Sequence, residues 1–256
     1  MPESDLALLT RAAHAAAEVA TTFVGGPLDV RHKDDGQGPV TAADLAVNDV
    51  LATLLRGARP DYGWLSEESA DTADRLTRRE VFIVDPIDGT RSFVEGSDTW
   101  AHSLAVARDG VVTAAVVYLP LRGKLYAASV GGGARLNDEP VRVAATPEAA
   151  QAHVLATRPS LDPRHWRGQV PAFRRSHRPS LAYRLSLVAE GRYDAMFTFR
   201  PSWEWDIAAG TLILEEAGAA TSDRTGQPLR FNNPVPQTAG VVAANPALHA
   251  DILRHL

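Results

Sequence analysis

Residues 83–90 read IVDPIDGT, and they place two carboxylates, Asp85 and Asp88, three positions apart around a proline. An apolar run, Val81-Phe82-Ile83-Val84, leads into the first aspartate, so a buried strand delivers its end to a charged group. Acids stand in apolar surroundings at two further places. Glu67 and Glu68 sit in LSEES, and Asp206 lies in SWEWDIAAG beside two tryptophans. Taken singly, each has an ordinary explanation: solvated loop acids, a turn aspartate before glycine, a helix N-cap. Taken together they suggest a site for a hard divalent cation such as Mg²⁺, which prefers oxygen ligands and relieves the repulsion between gathered carboxylates. Gly89 and Thr90 follow at once, and a helix opening there aims backbone N–H groups at an anion. Carboxylates for metal beside N–H groups for phosphate point to phosphoester hydrolysis.

The elements that must position these groups follow from periodicity and punctuation. Residues 4–24 read as an amphipathic helix. Thr41 with Asp44 caps a second helix that carries Leu45, Val47, Val50, Leu51, Leu54 and Leu55 at helical spacing. Asp109-Gly110 between two apolar runs predicts a hairpin, and Gly131–Gly133 a turn. The stretch 71–80 reads as a loop or short helix. Further on, AHVLAT, DAMFTF and GVVAA read as strands. SLAYRLSLVAEG, DIAAGTLILEEAG and PALHADILRHL read as helices, the first two ending on Gly191 and Gly218. Early strands and later strand–helix alternation predict an α+β chain. Residues 1–256 are expected to form a single compact catalytic domain, with approximate subdomains 1–145 and 146–256.

Composition removes several alternatives. The chain has 256 residues, no cysteine and a net charge of −5. Disulfides and thiolate metal sites are excluded, and an acidic balance disfavours a nucleic-acid partner. The N-terminal helix is interrupted by Arg11, His14 and Glu18, so neither a signal peptide nor a membrane span is expected, and a cytoplasmic protein fits. The eight histidines show no H-E-x-x-H spacing, and Ser97 lies in EGSDT rather than a nucleophile elbow. Six arginines at 164, 167, 174, 175, 178 and 184 form a basic strip that either faces solvent or receives a second phosphate. Trp203 and Trp205 either pack in the core or stack on a base.

VDPIDGT, preceded by SEES and followed by WEWDIAAGTLILEEAG, resembles the inositol monophosphatase family of Mg²⁺-dependent, often lithium-sensitive phosphatases. VTAAD, VVYLPLRGKLYAA and SLAYRLSLVAEGRYDA extend the likeness over nearly the whole chain. The resemblance implies a layered α-β-α-β-α sandwich of the inositol monophosphatase and fructose-1,6-bisphosphatase type, commonly a homodimer. It implies two or three Mg²⁺ ions, with Mn²⁺ as an alternative. Glu67, Asp85 and the Ile87 carbonyl would hold one ion, and Asp85, Asp88 and Asp206 another. It implies phosphate on the N–H groups of Gly89 and Thr90, and attack by water assisted by Glu67 and Thr90, with Asp44 orienting the Thr90 hydroxyl. Lys33 falls in the loop that corresponds to a mobile active-site loop. Arg184 falls on a helix that leads to the site and is the strip's best individual candidate for binding the substrate's second phosphate.

The substrate implied is a small phosphorylated metabolite. SWEWDIAAG is similar to the 3'(2'),5'-bisphosphate nucleotidase branch, which makes phosphoadenosine phosphate the first expectation. Inositol 1-phosphate, fructose bisphosphate and histidinol phosphate are alternatives, as is a catalytically weak metabolite-binding regulator. Phe199 stands where inositol-selective members place an acid, and Pro179-Ser180 where Gly-Ser is common.

Overall fold

The computed structural model describes residues 3–32 and 38–256. Among the described residues the α-helices, labelled here in chain order, are α1 (Asp5–Thr22), α2 (Ala42–Ala58), α3 (Thr90–Val94), α4 (Leu181–Ala189), α5 (Glu204–Glu216) and α6 (Pro246–His255). A seven-stranded sheet runs in the order 63–66, 80–88, 101–108, 111–119, 124–129, 134–136, 139–140. Only its first pair is parallel. A five-stranded sheet has the order 174–176, 153–155, 195–198, 241–244, 220–222.

Strand alternation explains the layering. In the 80–88 strand, Phe82 and Val84 face α1 and α2, meeting Leu8, Leu9, Leu51 and Leu55 in one core. Val81 and Ile83 face the other way, into a core shared with Leu185 of α4, Ile207 and Leu212 of α5, and Met196 and Val241 of the second sheet. The opposite face of that sheet packs Phe197 and Val242 against Leu248 and Ile252 of α6. The order of layers is therefore α1/α2, sheet, α4/α5, sheet, α6: the expected α+β sandwich.

Local chemistry sets the boundaries. Thr41 and Asp44 form a reciprocal capping box at the start of α2. Asp109 and Gly110 both take positive φ, at 51° and 78°, which suits the tight hairpin between strands 101–108 and 111–119. Residues 73–77 form a short 3₁₀ helix. Strands 174–176 and 220–222 are three residues each and too short to show alternation in the sequence. Among the described residues no helix is long and apolar enough to cross a membrane.

One difference from the sequence expectation matters for the site. The strand does not stop at Asp85 but continues to Asp88. Asp85 pairs with Ser103 and Asp88 with Ala101, so three steps on one strand oppose two on the other. This is a bulge, placed where Pro86 has no N–H to give the ladder. In a regular strand, residues 85 and 88 would point to opposite faces. The extra residue cancels that alternation and turns both carboxylates into one cleft.

Candidate active site

The cleft is lined by Glu67, Asp85, Asp88, Gly89, Thr90, Arg91, Arg200, Trp203, Trp205 and Asp206, with Pro39 at its edge. Glu67, Asp85 and Asp206 each bring a carboxylate oxygen within 4.8 Å of the others. They arrive from different elements: the turn after strand 63–66, the bulged strand and the first turn of α5. Asp85 Oδ1 is sealed from solvent and has no hydrogen-bond partner among the described residues. A buried carboxylate with an orphaned oxygen and two other carboxylates beside it is costly unless a cation or proton joins it.

The electrostatics show the same demand. Burial pushes the Asp85 carboxyl well up, and repulsion from Glu67, Asp88, Asp206 and Asp44 adds to this. Burial also pushes Asp206 well up, reinforced by Asp88 and Glu67. Asp88 rises to about 6, again chiefly through burial, although hydrogen bonds from Ser180 and Ala182 and the charge of Arg184 oppose the shift. Asp88 lies outside the closest group of three. Its Oδ2 accepts from Ser180 Oγ at 2.7 Å and from the Ala182 N–H at 2.6 Å, at the start of α4.

Thr90 and Asp44 are in contact. Thr90 Oγ lies 3.1 Å from Asp44 Oδ1 and 3.2 Å from the Ile87 carbonyl oxygen. Asp44 Oδ2 accepts from the Thr41 N–H at 2.8 Å and the Thr41 hydroxyl at 2.6 Å. Burial raises the Asp44 carboxyl, and these donors partly offset it. Gly89 has φ +100°, and a Cβ there would sit 3.4 Å from Ser180 Cβ. Only glycine takes this conformation without strain. Lys33 lies outside the described residues.

The basic strip does not act as one surface. Of its six arginines only Arg184 lines a cavity next to the cleft. Arg164 pairs with Asp162 on the exposed surface, and Arg174 reaches His153. The tryptophans stack on each other, ring centroids 4.7 Å apart and planes at 8°, while both line the cleft.

Three positioning groups escaped the sequence reading. His102, fully buried, donates from Nδ1 to the Pro86 carbonyl inside the bulge. Burial lowers its pKa to about 4, which keeps the ring neutral. Ser103, the cross-strand partner of Asp85, donates to the Trp205 carbonyl at 2.8 Å, tying the bulged strand to the residue before Asp206.

The third is Glu204, also fully buried. It accepts from the Asn232 N–H at 2.6 Å, the Asn233 N–H at 2.9 Å and the Asn233 side chain at 2.7 Å. Arg75 clamps the same loop, bonding Asp71, Asn232 Oδ1 and the Asn233 carbonyl. The signal was an acid between two tryptophans, but its partners lie about thirty residues away in the chain. Glu204→Ala should destabilise the fold by about 3 kcal/mol, because it strands two backbone donors in a dry site. Urea unfolding measures this, and a midpoint equal to wild type would contradict the anchoring role.

Comparison with known proteins agrees with this architecture. The profile described as "Inositol monophosphatase family" matches residues 1–256. A protein named inositol-1-monophosphatase from Rhizobium meliloti is 38% identical over 199 residues, covering 73% of each chain. A Nus factor SuhB from Pseudomonas aeruginosa is 34% identical over 241 residues and 86% of each chain. The crystal structure of extragenic suppressor protein suhB from Bartonella henselae superposes with a TM-score of 0.82 at 28% identity, covering 96% of each chain. A whole-chain profile match, joined to the same fold and to curated relatives of this likeness, places the chain in the inositol monophosphatase family.

Proposed function

We propose that this protein is a divalent-metal-dependent phosphomonoesterase acting on a small phosphorylated metabolite. The single observation that supports this best is that Asp85, which carries a sealed, partnerless oxygen, has a carboxylate oxygen within 4.8 Å of those of Glu67 and Asp206. An all-carboxylate donor set fits a hard cation, with Mg²⁺ expected and Mn²⁺ as the alternative. Glu67, Asp85, the Ile87 carbonyl, Asp88 and Asp206 would hold two or three ions. When bound, such ions offset charge that builds on the phosphoryl and leaving oxygens.

The chain's own groups supply the rest. Asp44 carries two donors from Thr41 on Oδ2, so Oδ1 remains to accept the Thr90 proton. With its hydrogen turned to Asp44, Thr90 Oγ presents lone pairs to the cleft and orients an attacking water. Glu67 stands as the base beside it. The N–H groups of Gly89 and Thr90 hold the phosphate. Residues 1–256 serve as one catalytic unit, since α4 and α5 pack against both sheets. A cytoplasmic homodimer is the expected setting.

Relatives named inositol-1-monophosphatase favour inositol 1-phosphate as a substrate, and none of those described above is named a bisphosphate nucleotidase. Phe199 is packed among Trp166 and Phe197, with ring centroids 5.3–5.6 Å apart, and offers no acid to a sugar hydroxyl. A second reading, a catalytically weak regulator that binds metal and metabolite, draws on the relatives named Nus factor SuhB.

Phosphate release should be measured with Mg²⁺ on inositol 1-phosphate, 3'-phosphoadenosine 5'-phosphate, fructose 1,6-bisphosphate and histidinol phosphate. Turnover of at least one, abolished by EDTA and restored by Mg²⁺, is expected. Metal binding without release from any of them would favour the regulator.

A further inference from the structure

A second cavity, of about 850 Å³, adjoins the carboxylate cleft. The two share Gly89, Arg91 and Arg200 in their linings, so a substrate with its phosphate at Gly89 extends its leaving side into this space. Its charge is opposite to that of the cleft. Arg91, Arg184 and Arg200 line it, against one acid, Glu95. No ion pair involves any of these arginines among the described residues.

Arg184 is the informative member. It sits on α4, is 7% exposed, and lies two residues after the Ala182 N–H that binds Asp88. Its Nε donates to the Arg178 carbonyl, and Nη2 to His177 Nε2 at 2.9 Å. Because His177 accepts there, its ring is neutral and adds no further positive charge. Nη1 has no protein partner among the described residues, and it is not one of the sealed partnerless atoms, so it remains open to solvent.

A buried guanidinium without a contacting carboxylate is expensive to keep. Asp88 and, less strongly, Asp206 favour its charge through space, but both carboxylates are among the groups proposed to bind cations. With both so engaged, Glu95 alone is left against three guanidiniums. Gathered carboxylates call for a cation, and gathered guanidiniums call by the same physics for an anion. A neutral polyol would leave the guanidinium forks unmatched, whereas a phosphate or carboxylate meets them with charge-assisted hydrogen bonds.

We infer that this cavity seats a second anionic group, a phosphate or a carboxylate carried on the leaving side of the substrate, held by Arg184 and Arg200 with Arg91 at the rim. The assignment rests on the phosphomonoesterase reading above and ranks doubly anionic metabolites ahead of singly anionic ones such as inositol 1-phosphate. A volume of about 850 Å³ accepts a leaving group as large as a nucleoside.

The test uses substrate pairs that differ in the second anion. These are 3'-phosphoadenosine 5'-phosphate with adenosine 3'-phosphate, fructose 1,6-bisphosphate with fructose 1-phosphate, and 2-phosphoglycerate with glycerol 2-phosphate. For at least one pair, kcat/KM should favour the doubly anionic member by about tenfold or more. The pair that responds tells phosphate from carboxylate. Arg184→Gln and, separately, Arg200→Gln should each cut that preference about tenfold. Arg200 is exposed, so its variant reports even if the buried substitution impairs folding. Equal turnover within every pair, or a preference that survives both substitutions, overturns the inference and leaves the phosphatase reading standing. No phosphate release from any of the six compounds, nor from inositol 1-phosphate or histidinol phosphate, would sink both.

Discussion

Asp85→Asn is expected to lower phosphate release by about 10³-fold while making the metal-free protein more stable. Both effects follow from one fact: Asp85 is a buried carboxylate whose neighbours are other carboxylates. An amide keeps the shape and removes the charge, so a cation loses a central ligand and the apo fold loses a repulsion. The melting temperature in EDTA should rise by about 2–6 °C, and the further rise on adding Mg²⁺ should shrink. Asp88→Asn should act in the same direction, with its bonds to Ser180 and Ala182 retained by the amide oxygen. An Asp85→Asn variant with near-normal turnover would rule out a metal-binding role for this residue. Unchanged turnover in both variants would remove the carboxylate cluster from the mechanism.

The second large effect is the coupling of metal, pH and stability. In chelated protein the carboxyls of Asp85, Asp206 and Asp88 all titrate above their ordinary value, Asp88 at about 6. A raised carboxyl means that the folded state holds protons the unfolded state has released. Stability therefore falls as pH rises from about 4 through 6 and beyond. His102, lowered to about 4, opposes this, since the unfolded chain binds its proton first as pH falls below about 6.5. The difference between Mg²⁺ and EDTA cancels the histidine contribution and isolates the carboxylates. At saturating Mg²⁺ the gain in melting temperature should reach about 5–10 °C at pH 8 and be much smaller at pH 5.5. Scanning calorimetry at the two pH values, with Ca²⁺ and Mn²⁺ for comparison, measures this. A gain that does not grow with pH would mean that the metal does not bind the titrating carboxylates.

Much of the fold was legible because its signals are local. The capping box of Thr41 and Asp44, the Asp109-Gly110 turn and the glycines that end α4 and α5 lie within a few residues of the structure they direct. The short strands 174–176 and 220–222 were not legible. Three residues carry no period, and their pairing partners are distant in the chain.

The types of chemistry on offer were also written in the sequence. Acids in apolar company at Glu67, Asp85, Asp88 and Asp206, with Gly89-Thr90 behind, suggest the proposed cation and anion site because burial of unpaired charge needs a reason. Tertiary structure alone decided how these groups meet. The bulge at Pro86 turns Asp85 and Asp88 to one side, and Ser103 and Glu204 anchor the start of α5 that presents Asp206. It also divided the arginines, leaving five of the strip away from the second cavity and recruiting Arg91 and Arg200 beside Arg184. The reason is common to all these cases. Spacing along the chain reports which residues share a strand face or a helix turn. Convergence of side chains from separate strands, helices and loops depends on packing between elements, which no local pattern encodes.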